Sequence, residues 1–429
     1  DVFLEKKKRF NKTEWSWIMY DWANSVWATT VGTAIWPIYF ALIVSGLANA
    51  GVIESTYGYV VSAANFLVAI LAPILGAVGD YKGMKKRLWS IFMLMGVIAT
   101  AVMAIFDNWV LLTIAFVISR VGFSGSCLFY DSFLTDVTTP DRMDNVSAWG
   151  YAMGYIGGST IPFILSIVVL VVMDFTVLAY KLAIAIVPIW WFVFSIPFIK
   201  NVNQVHYIES EGRIKIGDIA SNIVETLKDI YKDKALFIFV LSYFCYIDGV
   251  DTIITMSTNY GSVLGLGTIG MVLALLVTQL VAVPFSIWFG KWGKKYGALK
   301  MISIAVGIYS VITVVGFFMG FFIDCNELFG MSPEEALNIG QILFWVLATM
   351  VGTVQGGIQA LSRSYMGQLV PPERSNEFYG FLDIFGKFAA VIGPLLYSLA
   401  FGLTGKASFG ILALIILFIA GLILLIIGK

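Results

Sequence analysis

The sequence predicts an all-α membrane protein: twelve transmembrane helices in two pseudo-symmetric six-helix bundles. Three observations carry that expectation. Residues of the AVILMFWYC set make up 59% of the 429 residues and charged residues 13%, against roughly half and a quarter in soluble domains. The sparse polar residues repeat: Pro140, Arg142, Gly154 and Pro162 recur 232 positions later as Pro372, Arg374, Gly386 and Pro394, and Gly76, Gly83 and Lys86 recur 214 positions later as Gly290, Gly297 and Lys300. The two registers imply homologous halves, with 18 residues inserted in the second. Charge is the third: 22 of 27 Lys and Arg residues lie in the N-terminal tail, the even-to-odd loops and the C-terminal end. Arg120, Arg363 and Lys387 lie within helices, leaving only Lys181 and Lys406 for the opposite face. The positive-inside rule then puts both termini in the cytoplasm.

Taken in order, residues 1–15 form a polar, basic cytoplasmic tail with no small-residue cleavage pattern. Six spans follow in the N-terminal bundle, 16–199: about 16–45, 56–79, 88–106, 109–134, 146–173 and 177–199. The C-terminal bundle, 235–429, holds six more: about 235–260, 266–290, 298–323, 338–366, 376–402 and 407–428. Each suits the roughly 20 residues that cross a bilayer. Between the bundles, 200–234 is a cytoplasmic linker with the sole histidine, His206, and an amphipathic helix around Ile219 to Ile230. That helix is expected on the membrane surface or against the cytoplasmic span ends. Ser332-Pro333-Glu334-Glu335 reads as a helix start. Gly150, Gly154 and Gly158 give two Gly-x-x-x-Gly steps suited to close helix packing. Trp15, Trp17, Trp36, Trp109, Trp190 and Trp191, near span ends, read as interfacial belts. Cys127, Cys245 and Cys325 are too few for a disulfide framework and read as packing residues.

The loop after span 2 reads Gly76-Ala-Val-Gly79-Asp80-Tyr-Lys82-Gly83-Met-Lys85-Lys86-Arg87. Glycines allow a tight turn and close helix approach, and Asp80 can pair with a basic group or cap a neighbouring helix N-terminus. The second copy keeps the glycines but places Lys294 where Asp80 stands. This loop resembles the signature of the major facilitator superfamily. Tyr20-Asp21-Trp22-Ala23-Asn24-Ser25, Tyr246-Ile247-Asp248-Gly249, Gly356-Gly357-Ile358-Gln359-Ala360-Leu361-Ser362-Arg363-Ser364 and Gly386-Lys387-Phe388-Ala389-Ala390 resemble its vacuole-effluxer branch. The resemblance implies the major facilitator fold and a transporter. The yeast member of that branch exports amino acids from the vacuole during autophagy, so the resemblance also implies an amino-acid substrate.

Ionisable groups at membrane depth are costly and normally face the bundle interior. Asp21 and Asn24 share one face of span 1, and Asp248 and Asp251 repeat that spacing on span 7. The resemblance places both pairs toward the pathway, since helices 1, 4, 7 and 10 line the cavity in the superfamily. The alternative is a hydrogen-bonded structural cluster. Two carboxylates one turn apart in a low dielectric titrate as a unit, which suits proton coupling by Asp21, Asp248 and Asp251. Arg120, in mid-span 4, offers a bidentate fork for a carboxylate or serves a structural ion pair. Gln355 and Gln359, one turn apart on span 10, can donate to a solute or bond between helices. Asp80, Lys85, Lys86, Arg87, Asp131, Arg363, Asp383 and Lys387 are expected to gate. Asp131 and Arg363 suit an inter-half salt bridge, and Asp383 and Lys387 form an i,i+4 pair.

The expected function is therefore secondary active transport of a small solute, an amino acid first, by alternating access and coupled to protons. Export of amphipathic or drug-like molecules or small peptides is the alternative. An intramembrane protease is remote: Gly122-Phe123-Ser124-Gly125 superficially matches a serine nucleophile motif, but such a serine needs a base and His206 lies in the linker. No enzyme activity, cofactor, metal or nucleic acid is expected. The partners are the small-molecule substrate and the lipid bilayer, the chain acting as a monomer, and the short tails suit a bacterial plasma membrane.

Overall fold

The computed structural model describes residues 10–428 except 211, 213 and 214, and leaves the side chains of 54, 268, 272 and 387–390 outside the described residues. Among the described residues, twelve helices are long and apolar enough to cross a membrane. The first six spans are Lys12–Ser45, Ala50–Gly79, Met84–Ile105, Trp109–Val137, Met143–Val172 and Val177–Asn201. After a linker helix, Ile216–Lys232, come Lys234–Val263, Thr268–Tyr296, Ala298–Asp324, Pro333–Leu369, Ser375–Thr404 and Ala407–Ile427. Two compact units emerge: Asp1–Ile223 with Val370–Phe381, and Val224–Leu369 with Leu382–Lys429. Span 11 thus begins in the first unit and continues in the second.

Local chemistry explains the helix ends. Asn11 caps span 1 in a capping box with Glu14, each side chain bonding the other's backbone N–H at 2.8 and 2.9 Å. The start expected at Ser332 is a second capping box, with Glu335 N–H donating to Ser332 Oγ and Ser332 N–H to the Glu335 carboxylate. The repeated loop glycines Gly83 and Gly297 turn the chain at φ 75° and 93°, a region that disfavours any residue with a Cβ.

Span 1 contains a π segment, Trp27–Ala34, and span 5 another, Gly154–Gly158. These wide turns are often found at functional sites. Gly154 and Gly158 of span 5 do the packing expected of them: a Cβ on Gly154 would stand 2.7 Å from Ser25 Oγ, Gly158 faces Ser25 still more closely, and Gly157, outside that pattern, faces Trp22. Span 5 therefore rests directly on span 1.

The tryptophans correct one expectation. Trp17, Trp36 and Trp191 are fully buried and form core, not belts. Each indole N–H finds a partner inside: Trp17 donates to the Tyr130 carbonyl at 2.9 Å, Trp36 to Tyr57 Oη at 3.0 Å and Trp191 to Tyr20 Oη at 3.2 Å. A satisfied N–H removes the cost that otherwise holds an indole near water.

Candidate functional site

In the first unit, a polar cluster joins the loop after span 2, the end of span 4 and the start of span 11. Asp80 is buried and accepts from the backbone N–H groups of Asn376 at 2.9 Å and Glu377 at 3.1 Å. These are first-turn donors with no partner in their own helix, so Asp80 caps span 11 from outside it. Gly76 makes this possible, since a Cβ there would stand 2.5 Å from the Asn376 carbonyl oxygen. Burial pushes the Asp80 carboxyl well above the usual carboxylate range, opposed by nearby Lys85 and the two amide bonds.

Lys85 completes the cluster. Its Nζ lies 2.6 Å from Asp136, both side chains fully buried, and 2.9 Å from Ser375 Oγ. Asp136 also accepts from the backbone N–H groups of Val205 and His206 at 2.9 and 2.8 Å, tying down the start of the linker. Lys86 bonds Asn203 at 2.8 Å, whereas Arg87 is exposed.

Deeper in the same unit, Asp21 accepts from the Tyr130 hydroxyl at 2.8 Å, and Asn24 donates to Cys127 Sγ at 3.4 Å. Both members of the span 1 pair therefore meet span 4. Tyr130 is held in turn by Trp17, stacked on it at 4.4 Å between ring centroids. Arg120 donates through Nε to Asn65 Oδ1 at 2.5 Å. No Asp or Glu carboxylate among the described residues lies within ion-pair distance of it. Arg120 itself is half-buried.

In the second unit, Asp248 is fully buried and accepts from Gly393 N–H at 2.8 Å, with Thr252 Oγ1 at 3.4 Å. Gly393 precedes Pro394, so the carboxylate takes a backbone N–H beside a proline within span 11. Asp251 is half-buried one turn on. A Cβ on Gly393 would meet Asp248 Oδ1 at 2.7 Å and Thr252 more closely still. Gly393→Ala is expected to destabilise the protein by about 1–3 kcal/mol through overpacking, read as a lower Tm of the purified protein in detergent.

Gln359 donates back to the Gln355 carbonyl at 3.1 Å. Gln355 also lines a cavity of about 100 Å³ inside the second unit, where Thr278, Gln279 and Thr313 stand among apolar side chains. Asp131 is half-buried at the end of span 4 and belongs to the first unit, while Arg363 is buried in span 10 and Asp383 half-buried in span 11, both in the second. The Lys387 side chain lies outside the described residues. Among the described residues, no group of three or more His, Cys, Asp and Glu is arranged to hold a metal ion.

A family model described as "Vacuole effluxer Atg22 like" matches residues 51–428. The chain belongs to the Atg22-like vacuole effluxer family. An uncharacterized MFS-type transporter of Bacillus subtilis (strain 168), YxiO, is 44% identical over 430 residues, covering 97% of this chain and 95% of that protein. Autophagy-related protein 22 of Yarrowia lipolytica is 25% identical over 323 residues, 68% of this chain and 52% of the fungal protein. The Atg22-like chain therefore spans about half the length of that fungal relative. Among solved structures, the human organic anion transporter MFSD10 matches with a TM-score of 0.71 at 13% identity, over 96% of this chain and 98% of that one. A bacterial homologue of the iron transporter ferroportin matches with a TM-score of 0.64 at 14% identity, over 97% and 98%. At such identities the likeness speaks to the fold alone. This Atg22-like protein is an MFS-type multi-pass membrane transporter, not an enzyme.

Two residues of these clusters escape a reading of the sequence. Asn65 is the only amide side chain in span 2, with only apolar residues and glycine following it to the end of that span, and that isolation was a usable signal. Asp136 stands just before the repeated Pro140-Asp141-Arg142, where the second half has the neutral Gln368 before Pro372-Glu373-Arg374. A carboxylate on one side of an internal repeat and an amide on the other marks an asymmetric role.

Proposed function

We propose that this protein is a proton-coupled carrier of amino acids that works by alternating access. The observation that carries the reading is Arg120, a guanidinium within a membrane span whose hydrogen bond among the described residues goes to a neutral amide. A cation in such a place is expensive to keep without a purpose, and its geometry suits a carboxylate. Asp21, Asp248 and Asp251 offer acidic groups for an ammonium and for protons, with Asn24, Gln355 and Gln359 as further substrate contacts. A zwitterion satisfies both signs of charge. The family's description as vacuole effluxers supports a small exported solute.

Gating is assigned to Asp80, Lys85, Lys86 and Arg87, with Asp131, Arg363, Asp383 and Lys387. The excess of Lys and Arg in the even-to-odd loops supports cytoplasmic termini, and the relative in Bacillus subtilis supports a bacterial plasma membrane. Equilibrium binding of a labelled amino-acid panel to the purified protein tests the substrate class: saturable binding of at least one group is expected. Binding by none of them would discard amino acids and turn attention to peptides and amphipaths. For coupling, Asp248→Asn should flatten the pH dependence of uptake, and a profile like that of the wild type would remove Asp248 from the proton path.

A further inference from the structure

The linker helix Ile216–Lys232 divides its circumference three ways. Thr226 and Ile230 are buried, with Ile219, Asn222 and Ile223 half-buried beside them, and this face packs on protein. Asp218, Ser221, Glu225, Lys228 and Lys232 make a polar face. Between the two runs a third stripe of Ile216, Ala220, Val224, Leu227 and Tyr231, all exposed. At 3.6 residues per turn these five fall within about 80° of arc. Ile216 is 86% exposed and Tyr231 75%, so large apolar groups are left uncovered along four turns.

We propose that this stripe is an interfacial anchor, seated in the headgroup and upper acyl region of the bilayer that surrounds the spans. Three observations favour lipid as its occupant. The stripe is continuous with the membrane-spanning surface: the Tyr231 ring meets Phe237, in the first turn of span 7, at 5.5 Å between centroids. Only Asp233 separates the helix from that span, so its C-terminal end lies at bilayer level by covalent connection. Lys228 borders the stripe on its polar side, where a long side chain keeps its ammonium group among headgroups while its stem covers apolar surface. A helix with one protein-facing edge and one lipid-facing edge acts as a wedge at the interface.

The test is site-directed spin labelling of the full chain in nanodiscs of phosphatidylcholine and phosphatidylglycerol, with the three native cysteines replaced by alanine. Labels are placed at Val224→Cys and Leu227→Cys on the stripe and at Glu225→Cys on the polar face. Stripe labels should collide with oxygen several-fold more, relative to a water-soluble nickel chelate, than the Glu225 label does. Equal ratios at all three positions would place the stripe in water and overturn the proposal. Low collision with both reagents would place it under protein, either a second copy or another segment, and would overturn it equally.

Discussion

Replacing Arg120 with alanine is expected to weaken amino-acid binding by about 30-fold to several thousand-fold, the equivalent of roughly 2–5 kcal/mol for truncating one side of a buried charge pair. The size follows from what the residue lacks. Its Nε is spent on Asn65 and no carboxylate among the described residues pairs with it, so in the proposed role a substrate carboxylate would supply both charge and fork geometry. Arg120→Lys keeps the charge and loses the fork, and should fall between wild type and alanine. Asn65→Ala should show a smaller loss, because Asn65 orients the group without neutralising it. The same affinity in Arg120→Ala as in wild type, measured by equilibrium binding, would remove this residue from the site.

The second large effect is on stability. Lys85 and Asp136 face each other at 2.6 Å with no exposure of either side chain. Lys85→Ala leaves a buried carboxylate without its counter-charge, a change that typically costs about 3–5 kcal/mol. The Asp136 bonds to Val205 and His206 N–H would survive it, which limits the loss to the upper part of the cluster. The double variant Lys85→Met with Asp136→Leu removes both charges and should recover part of the stability, less what is lost with the two backbone bonds to Asp136. Thermal unfolding in nanodiscs distinguishes the outcomes. A single variant as stable as wild type would mean that the pair contributes nothing, and a double variant worse than the single would mean that the Asp136 bonds to Val205 and His206 N–H outweigh the charge pair.

Part of this arrangement was legible in the sequence. The spans were, because a bilayer demands long apolar helices and this chain interrupts them with little else. The turn at Gly83 was, because its repeat at Gly297 marks a backbone need in both halves. The role of Asp80 was legible as a choice between a basic partner and a helix N-terminus. It caps span 11 through Asn376 and Glu377, with Lys85 close enough to act on its charge. What stayed hidden was partner identity across long separations. Nothing near Asp248 in the chain points to Gly393, 145 residues on, because that acceptor serves a backbone donor carrying no side-chain signal. The tryptophans misled for a related reason: proximity to a span end is visible in sequence, whereas a carbonyl or hydroxyl waiting for the indole N–H is not.

Proton-coupled carriage of amino acids by this protein is put to the test by counterflow of a labelled amino-acid panel in proteoliposomes, with and without an imposed proton gradient. Saturable exchange of one amino-acid group, accelerated by the gradient, is expected. Vesicles of verified, folded protein that exchange no amino acid would contradict it.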